Sequence, residues 1–319
     1  DEKKGVLFKK GHIVREEDIP ALLSVGKEHL YVWEKQEGIL HENEAAEILY
    51  RISADIHMHG SDIKEGKIEL IADCDGVLKI RRDALLAVNS LGEMMIASRH
   101  GDFPIKKGDK VAGTRIIPLV IEKEKMDAAE KAAGNLPIFD ILPYQQKKVG
   151  IVTTGSEIRK GLIQDTFTPV LREKLSGFPT EVTGQVMPGD DKEEITKAIL
   201  SFADAGADLI ICTGGMSVDP DDRTPGGIRD TGAKIVTYGA PVLPGAMLLV
   251  AYLERNGRSI PVLGLPGCVM YAKRTVFDLI LPRVMADDEI KAEEIAALGE
   301  GGLCLNCPVC TFPNCGFGK

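Results

Sequence analysis

The chain has no surplus of positive charge. Its 319 residues carry 39 Lys and Arg against 48 Asp and Glu, a formal net charge of −9. A net negative surface repels phosphate backbones and anionic headgroups, which argues against a nucleic-acid polymer or a membrane as partner. It does not exclude a local anion site. Long apolar runs are also missing. "PVLPGAMLLVAYL" (241–253) is too short for a membrane span and is broken by Pro and Gly. The N-terminal "DEKKGVLFKK" lacks the apolar stretch of a secretory signal. These absences lead us to expect a soluble, cytoplasmic protein. The second half contains neither G-x-x-x-x-G-K-[ST] nor G-x-G-x-x-G, so the common nucleotide-binding glycine fingerprints are lacking. What remains is a globular composition, 44% apolar and 27% charged, long enough for two domains and a substantial core.

Seven cysteines are present. Cys74, Cys212 and Cys268 sit in apolar or turn settings and read as small core residues. The other four form "CLNCPVCTFPNC", a C-x2-C-x2-C-x4-C run through Cys304, Cys307, Cys310 and Cys315. Four thiolates this close in sequence suit an iron–sulfur cluster, since the run is near the bacterial ferredoxin spacing with one residue added before the last Cys. Zinc more often takes two separated pairs. A tail that binds neither is the third reading, and disulfides are disfavoured in a reducing compartment.

The periodicity divides the chain into 1–145, 146–287 and 288–319. In the first part, "VREEDIPALLSVG" reads as a short helix and "HLYVWE" (29–34) as a strand. "NEAAEILYRISADIHMHG" reads as an amphipathic helix capped by Asn43, with Ala45, Ile48, Leu49, Ile52 and Ile56 on one face. His57 and His59 fall on different helix faces, which favours a solvated helix end over a metal site. Residues 66–122 read as β-type runs joined by tight turns, a small barrel or sandwich. "EKEKMDAAEKAAGNLP" reads as a helical connector and "ILPYQQKK" (141–148) as a polar boundary.

From Val149 onward strands alternate with helices: "KKVGIVTTG", "DTFTPVLREKLSGF", "TEVTGQVMPG", "DDKEEITKAILSFADAG", "ADLIICTGG", "DDRTPGGIRDTG". Strands "AKIVTYG", "MLLVAYL" and "SIPVLGLPG" and a last helix "VMYAKRTVFDLILPRVM" follow. This alternation predicts an α/β fold with a doubly wound, mostly parallel sheet, following an α+β, β-rich N-terminal part. Such sheets bind ligands beyond the carboxyl ends of their strands.

Three predicted strand ends share one chemistry: Thr153-Thr154-Gly155-Ser156-Glu157, Thr213-Gly214-Gly215-Met216-Ser217 and Leu265-Pro266-Gly267-Cys268. Each turn can offer backbone N–H groups to an anion. Acids crowd the same end, with Asp165 after the first, Asp190 and Asp191 after the second strand, and Asp219, Asp221 and Asp222 after the third. Helix capping accounts for Asp165 and Asp191 as readily as a site does. Like charges converging on a pocket call for a cation, and Mg2+ typically takes one or two carboxylates together with phosphate oxygens. Glycine turns and acids are therefore compatible, the turns holding one phosphate and the acids a metal beside another.

The stretches "TTGSEI", "GLIQDTF", "PGDDKEEI", "TGGMSVDPDDRTPGGI", "LPGAM" and "GLPGCVMYA" resemble the molybdopterin-binding domain of molybdenum-cofactor biosynthesis proteins over residues 147–285. The resemblance implies binding of a dithiolene pterin by Thr154, Gly155, Glu157, Asp165, Thr213, Gly214, Gly215, Ser217, Pro266 and Gly267. In the adenylyltransferase branch, ATP and Mg2+ activate the pterin phosphate, and an aspartate lies nine residues after the loop's Thr with Thr-Pro following. Thr213, Asp222, Thr224 and Pro225 match, and Asp190 takes the place of the second acid, so Asp222 and Asp190 are the candidate catalytic and Mg2+-binding residues. "VLPGAM…VLGLPGCV" resembles the molybdenum-insertase branch. The sequence departs from the family at Asp165-Thr166-Phe167, where Asp-Ser-Asn is usual, at Cys268-Val269 in place of Asn-Pro, and at Met216-Ser217 in place of Thr-Gly. The first 140 residues show no clear match to the insertase's companion domains. Two functions follow as expectations. One is Mg2+-dependent adenylylation of molybdopterin or metal insertion. The other is a non-catalytic module that senses, stores or hands on molybdopterin, with the Cys tail as a metal-binding or redox element. The family also implies a homo-oligomer and a molybdoenzyme or pathway partner.

Overall fold

The computed structural model describes residues 8, 14–29, 36–155, 159, 162, 164–217 and 222–319. The N-terminal part holds β1 (Ile39–His41), β2 (Met58–Gly60), β3 (Lys67–Ala72), β4 (Gly76–Ile80), β5 (Met94–Ser98), β6 (Phe103–Ile105), β7 (Lys110–Ile116), β8 (Val120–Glu122) and β9 (Phe139–Pro143). Its helices are α1 (Ile19–Ser24), α2 (Glu42–Ser53), α3 (Arg82–Asn89) and α4 (Lys123–Ala133). The strands make two antiparallel sheets, ordered β2-β3-β7-β5 and β6-β4-β9, and a β1-β8 pair. Consecutive strands β3 and β4 thus enter different sheets, and among the described residues 66–122 no two consecutive strands pair as the expected hairpins. Ala45, Leu49, Leu70, Met126 and Phe139 share one buried core that covers both sheets and α2–α4.

Several local expectations change. "LLAVN" within 85–89 is the end of α3, because Ala84 and Val88, one turn apart, bury one helix face. The cap of α2 is His41, whose side chain accepts from Asn43 N at 3.2 Å, while Asn43 Oδ1 accepts from Gly66 N instead. Ile56 lies beyond the helix end and is 90% exposed. His59 stands on β2 and pairs with Asp73 at 2.7 Å. The charged connector α4 buries Met126, Ala129 and Ala133 and is a structural helix. Residues 139–143 form β9, paired with β4, so the break before the second sheet is only three residues long. "HLYVWE" lies largely outside the described residues.

The second part contains β10 (Lys147–Thr153), α5 (Phe167–Leu175), β11 (Thr180–Val186), α6 (Lys192–Asp204), β12 (Leu209–Thr213), α7 (Thr224–Asp230), β13 (Lys234–Tyr238), β14 (Leu249–Arg255), β15 (Arg258–Leu265), α8 (Val276–Met285) and α9 (Ala292–Ala297). One six-stranded sheet results, in the order β11-β10-β12-β15-β14-β13. β11, β10, β12 and β15 run parallel, and β14 and β13 add antiparallel at the edge. Alternate side chains face opposite layers. Val149, Ile151, Leu209, Ile211, Leu263 and Leu265 join one core with α5 and α8. Val152, Ile210, Cys212 and Val262 join the other with α6 and α7. Helices on both faces of a mostly parallel sheet are the expected doubly wound α/β architecture. The final helix is shorter than its pattern suggested. A 3-10 turn (Gly267–Met270) precedes it, and α8 begins only where Thr275 and Asp278 form a capping box. Among the described residues no helix is long and apolar enough to cross a membrane.

Candidate functional site

The sheet order fixes where a ligand fits. After β10 the chain places β11 on one side and then returns to place β12 on the other. The winding reverses between β10 and β12, and loops diverge there to open a crevice. Register aligns the three ends, with Thr153 opposite Thr213 and Thr213 opposite Leu265. The turns at Thr154-Gly155, Gly214-Gly215 and Pro266-Gly267 therefore leave the sheet at one level.

The first two turns are locked together. Thr154 N donates to Thr213 O at 2.8 Å, and Thr154 Oγ1 lies 3.0 Å from Thr224 Oγ1. Thr224 Oγ1 donates to Gly214 O at 2.8 Å. The diglycine is required by this packing. Gly214 has φ 81°, and a Cβ there would sit 2.5 Å from Thr154 O. A Cβ on Gly215, at φ 53°, would lie 2.9 Å from Thr224 Oγ1. The glycines thus permit close approach of two loops as well as exposing N–H groups. Thr213 is fully buried, and its Oγ1 has no hydrogen-bond partner among the described residues. Met216 is buried with its Sδ against Gly264, where a Cβ would fall 2.7 Å from the sulfur. Ser217 is exposed. Tyr238 OH donates to Met216 O at 2.9 Å and fixes the start of this loop from β13. Burial raises the Tyr238 phenol above its ordinary range, and the nearby Asp222 carboxylate adds to the rise.

The acids separate by role. Asp165 caps α5, its Oδ1 accepting from Phe167 N at 2.9 Å and Thr168 N at 3.1 Å. Burial pushes the Asp165 carboxyl up, but hydrogen bonds from Thr168, Gln185 and Phe167 outweigh it and hold the group below its usual range. Asp191 caps α6 through Glu194 N at 2.8 Å. Asp190 and Asp222 cap neither helix. Asp190 follows β11, Asp222 follows β12, and both are half-buried. The start of α6 packs on α7. Lys192 pairs with Asp230 at 2.6 Å, and a Cβ on Gly227 would strike Ile195 at 2.6 Å. Arg159 ties the first loop to this edge by donating to Pro188 O at 2.9 Å and Glu194 Oε2 at 2.5 Å. Glu157, Asp219 and Asp221 lie outside the described residues.

Gln185 carried no signal in the sequence beyond being a polar residue on a strand. It points its Nε2 at three oxygens: Thr153 Oγ1 at 2.9 Å, Asp165 Oδ2 at 2.7 Å and Thr168 Oγ1 at 2.7 Å. It therefore links the end of β10 to the cap of α5. Phe167, where the family pattern has Asn, is 5% exposed and belongs to the apolar core. It offers no polar group to a ligand.

On the third turn, Pro266 leads into the 3-10 turn, and Val269 N donates back to Pro266 O at 3.1 Å. Burial raises the Cys268 thiol. The segment after this turn meets the C-terminal tail. Lys273 Nζ donates to Cys307 O at 3.3 Å and Pro308 O at 2.9 Å. Arg274 lies 5.0 Å over the Phe312 ring and also donates to Asp278 Oδ1 at 2.8 Å. Cys304 N donates to Leu243 O and Leu243 N to Gly302 O, both at 2.8 Å, which binds the tail to the Leu243-Pro244-Gly245 turn. Among the described residues, no three His, Cys, Asp or Glu side chains stand together as a site for a single metal ion.

An α/β domain with a glycine-lined crevice at its winding reversal is a small-ligand-binding unit. Residues 150–286 match the family described as "Probable molybdopterin binding domain". Residues 1–34 match a domain of unknown function. A molybdopterin molybdenumtransferase of Haemophilus influenzae is 28% identical over 236 residues, covering 71% of this chain and 54% of that one. The chain thus spans about half the length of this curated relative. This match is longer than the segment from Gly150 to the end and so reaches into the N-terminal part. A molybdopterin adenylyltransferase of Pyrococcus furiosus is 27% identical over 137 residues, 40% of this chain and 80% of that one. The solved molybdopterin biosynthesis enzyme MoaB of Thermus thermophilus is 27% identical with a TM-score of 0.36, over 43% of this chain and 91% of that one.

Proposed function

We propose that the crevice between Thr154-Gly155 and Gly214-Gly215 binds molybdopterin and that the chain transfers an adenylyl group to or from its phosphate. The observation that carries this reading is the pair of interlocked turns at the winding reversal. Backbone N–H groups at the turns hold the phosphate, and the Thr154 and Thr224 hydroxyls keep the turns at fixed separation. Asp190 and Asp222 would hold Mg2+. Mg2+ typically takes one or two carboxylates and completes its shell with water and phosphate oxygens. When bound, the ion supplies charge neutralisation at the transferring phosphate. The chain's own part is to position the pterin and to present both carboxylates to the ion.

A binding-only module is the second reading, favoured by Phe167. A buried phenyl group stands where the family pattern has an amide, so one polar hold on a substrate is missing. One experiment separates the two. Protein loaded with molybdopterin is incubated with ATP and Mg2+, and the bound pterin is weighed by mass spectrometry. We expect the adenylate to form, and Asp222→Ala to bind pterin without forming it. Binding with no conversion in the unsubstituted protein assigns the module. Absence of binding overturns both.

A further inference from the structure

We propose that Cys304, Cys307, Cys310 and Cys315 bind a [4Fe–4S] cluster. All four line one cavity of about 340 Å³ between the tail and the segment after the third turn. None is in a disulfide. Zinc would need its thiolates drawn to about 2.3 Å from one point. A cubane is held differently, through irons at its corners, so its thiolates surround a volume. Cysteines spread around a cavity match the second geometry, and the C-x2-C-x2-C run with a later fourth Cys supplies the ligands in one loop.

The walls fit the same group. Leu303, Leu305 and Phe312 line the cavity, and apolar walls limit the water that would hydrolyse a cluster. Lys273 and Arg274 line it as well. A cubane with four thiolates is an anion overall, so two cations on its wall offset charge that a low-dielectric cavity would otherwise penalise. The frame exists without the cluster. Lys273 holds the Cys307 and Pro308 carbonyls, Cys304 N is bonded to Leu243 O, and Phe312 packs between Phe103 and Phe317, with ring centroids at 6.1 Å and 6.2 Å. Cys304 and Cys315 pack against the α/β core, while Cys307 and Cys310 are exposed. The cluster would therefore be buried on one side and open on the other.

Binding needs each Cys to lose its proton to solvent and to form one Fe–S bond, with ferrous and ferric iron in equal amounts and sulfide supplied from outside, so that the oxidised 2+ core forms without a further oxidant. The proposal is independent of what the pterin crevice does. Its test is anaerobic incubation of the full chain with equal amounts of ferrous and ferric iron and with sulfide, followed by desalting and assay of both. We expect about four irons and about four sulfides per chain, with broad visible absorption that bleaches on dithionite. Cys310→Ser should lose most of the iron while keeping the far-ultraviolet circular dichroism of the unsubstituted chain. Cys74→Ser, outside the cavity, should keep it. About two irons per chain, zinc taken up without sulfide, no metal at all, or full iron in Cys310→Ser would each overturn the assignment.

Discussion

Thr154 and Thr224 face each other through their hydroxyls at 3.0 Å, seventy residues apart in the chain, and so join the loop after β10 to the first residue of α7. Thr224 also donates to Gly214 O, so one side chain sets the spacing of both glycine turns. Thr224→Val keeps the volume and removes both links. We expect a loss of about 1 kcal/mol in stability and a larger proportional loss in pterin affinity, measured by urea unfolding and by ligand titration. Unchanged affinity would show that the turns hold their spacing without it.

Thr213 predicts the opposite sign. Its buried Oγ1 has no partner among the described residues, so the fold carries the desolvation cost of a hydroxyl without a compensating bond. Thr213→Val should raise the urea midpoint or leave it unchanged, a gain of up to about 1 kcal/mol. A fall in the midpoint would mean that the hydroxyl is bonded in solution.

Asp278 is a hub whose loss should be severe. Its carboxylate, 6% exposed, accepts from Lys174 at 2.8 Å, from Arg274 at 2.8 Å and from Thr275 N at 2.8 Å. Asp278→Ala removes the α8 cap and leaves Lys174, only 13% exposed, without its carboxylate. The expected cost is about 3–5 kcal/mol, read as a lower thermal midpoint. A change below about 1 kcal/mol would show that water replaces the carboxylate.

Asp55 predicts a pH dependence. Burial, and then a hydrogen bond with Asp140, raise its carboxyl from 3.8 to about 6. The folded state therefore binds more protons than the unfolded state between these values. Its contribution to stability is full below pH 3.8, falls as pH rises, and is gone above about pH 6. Asp140→Asn removes a neighbouring charge and should lower the Asp55 titration midpoint in a carbon-13 NMR titration. A midpoint that stays at about 6 would assign the whole rise to burial.

The α/β half was readable because its strands are buried on both faces and its helices announce their caps. Asp165 and Asp191 behave as caps, and the three Gly-bearing strand ends fall in register. Long-range pairing was not readable in the N-terminal half. β3 and β4 are separated by a tight turn yet belong to different sheets, and only the tertiary partners β7 and β9 decide that. Within the site, the acids and glycines were visible by type and spacing. Gln185 and Tyr238 were not, because each acts across the sheet through a single polar atom on an otherwise ordinary strand.

Gln185 Nε2 has two hydrogens and three oxygens within 2.9 Å. It cannot satisfy all three at once. Asp165 can only accept, so one amide proton goes there, and Thr153 and Thr168 share the other. Thr168 also gives its own proton to Asp165, so the threonine left over is the one that accepts no amide proton at that moment. The edge of the crevice thus holds a rotor with more than one hydrogen-bonded arrangement and little to choose between them. An arriving polar group could settle that choice without moving the backbone.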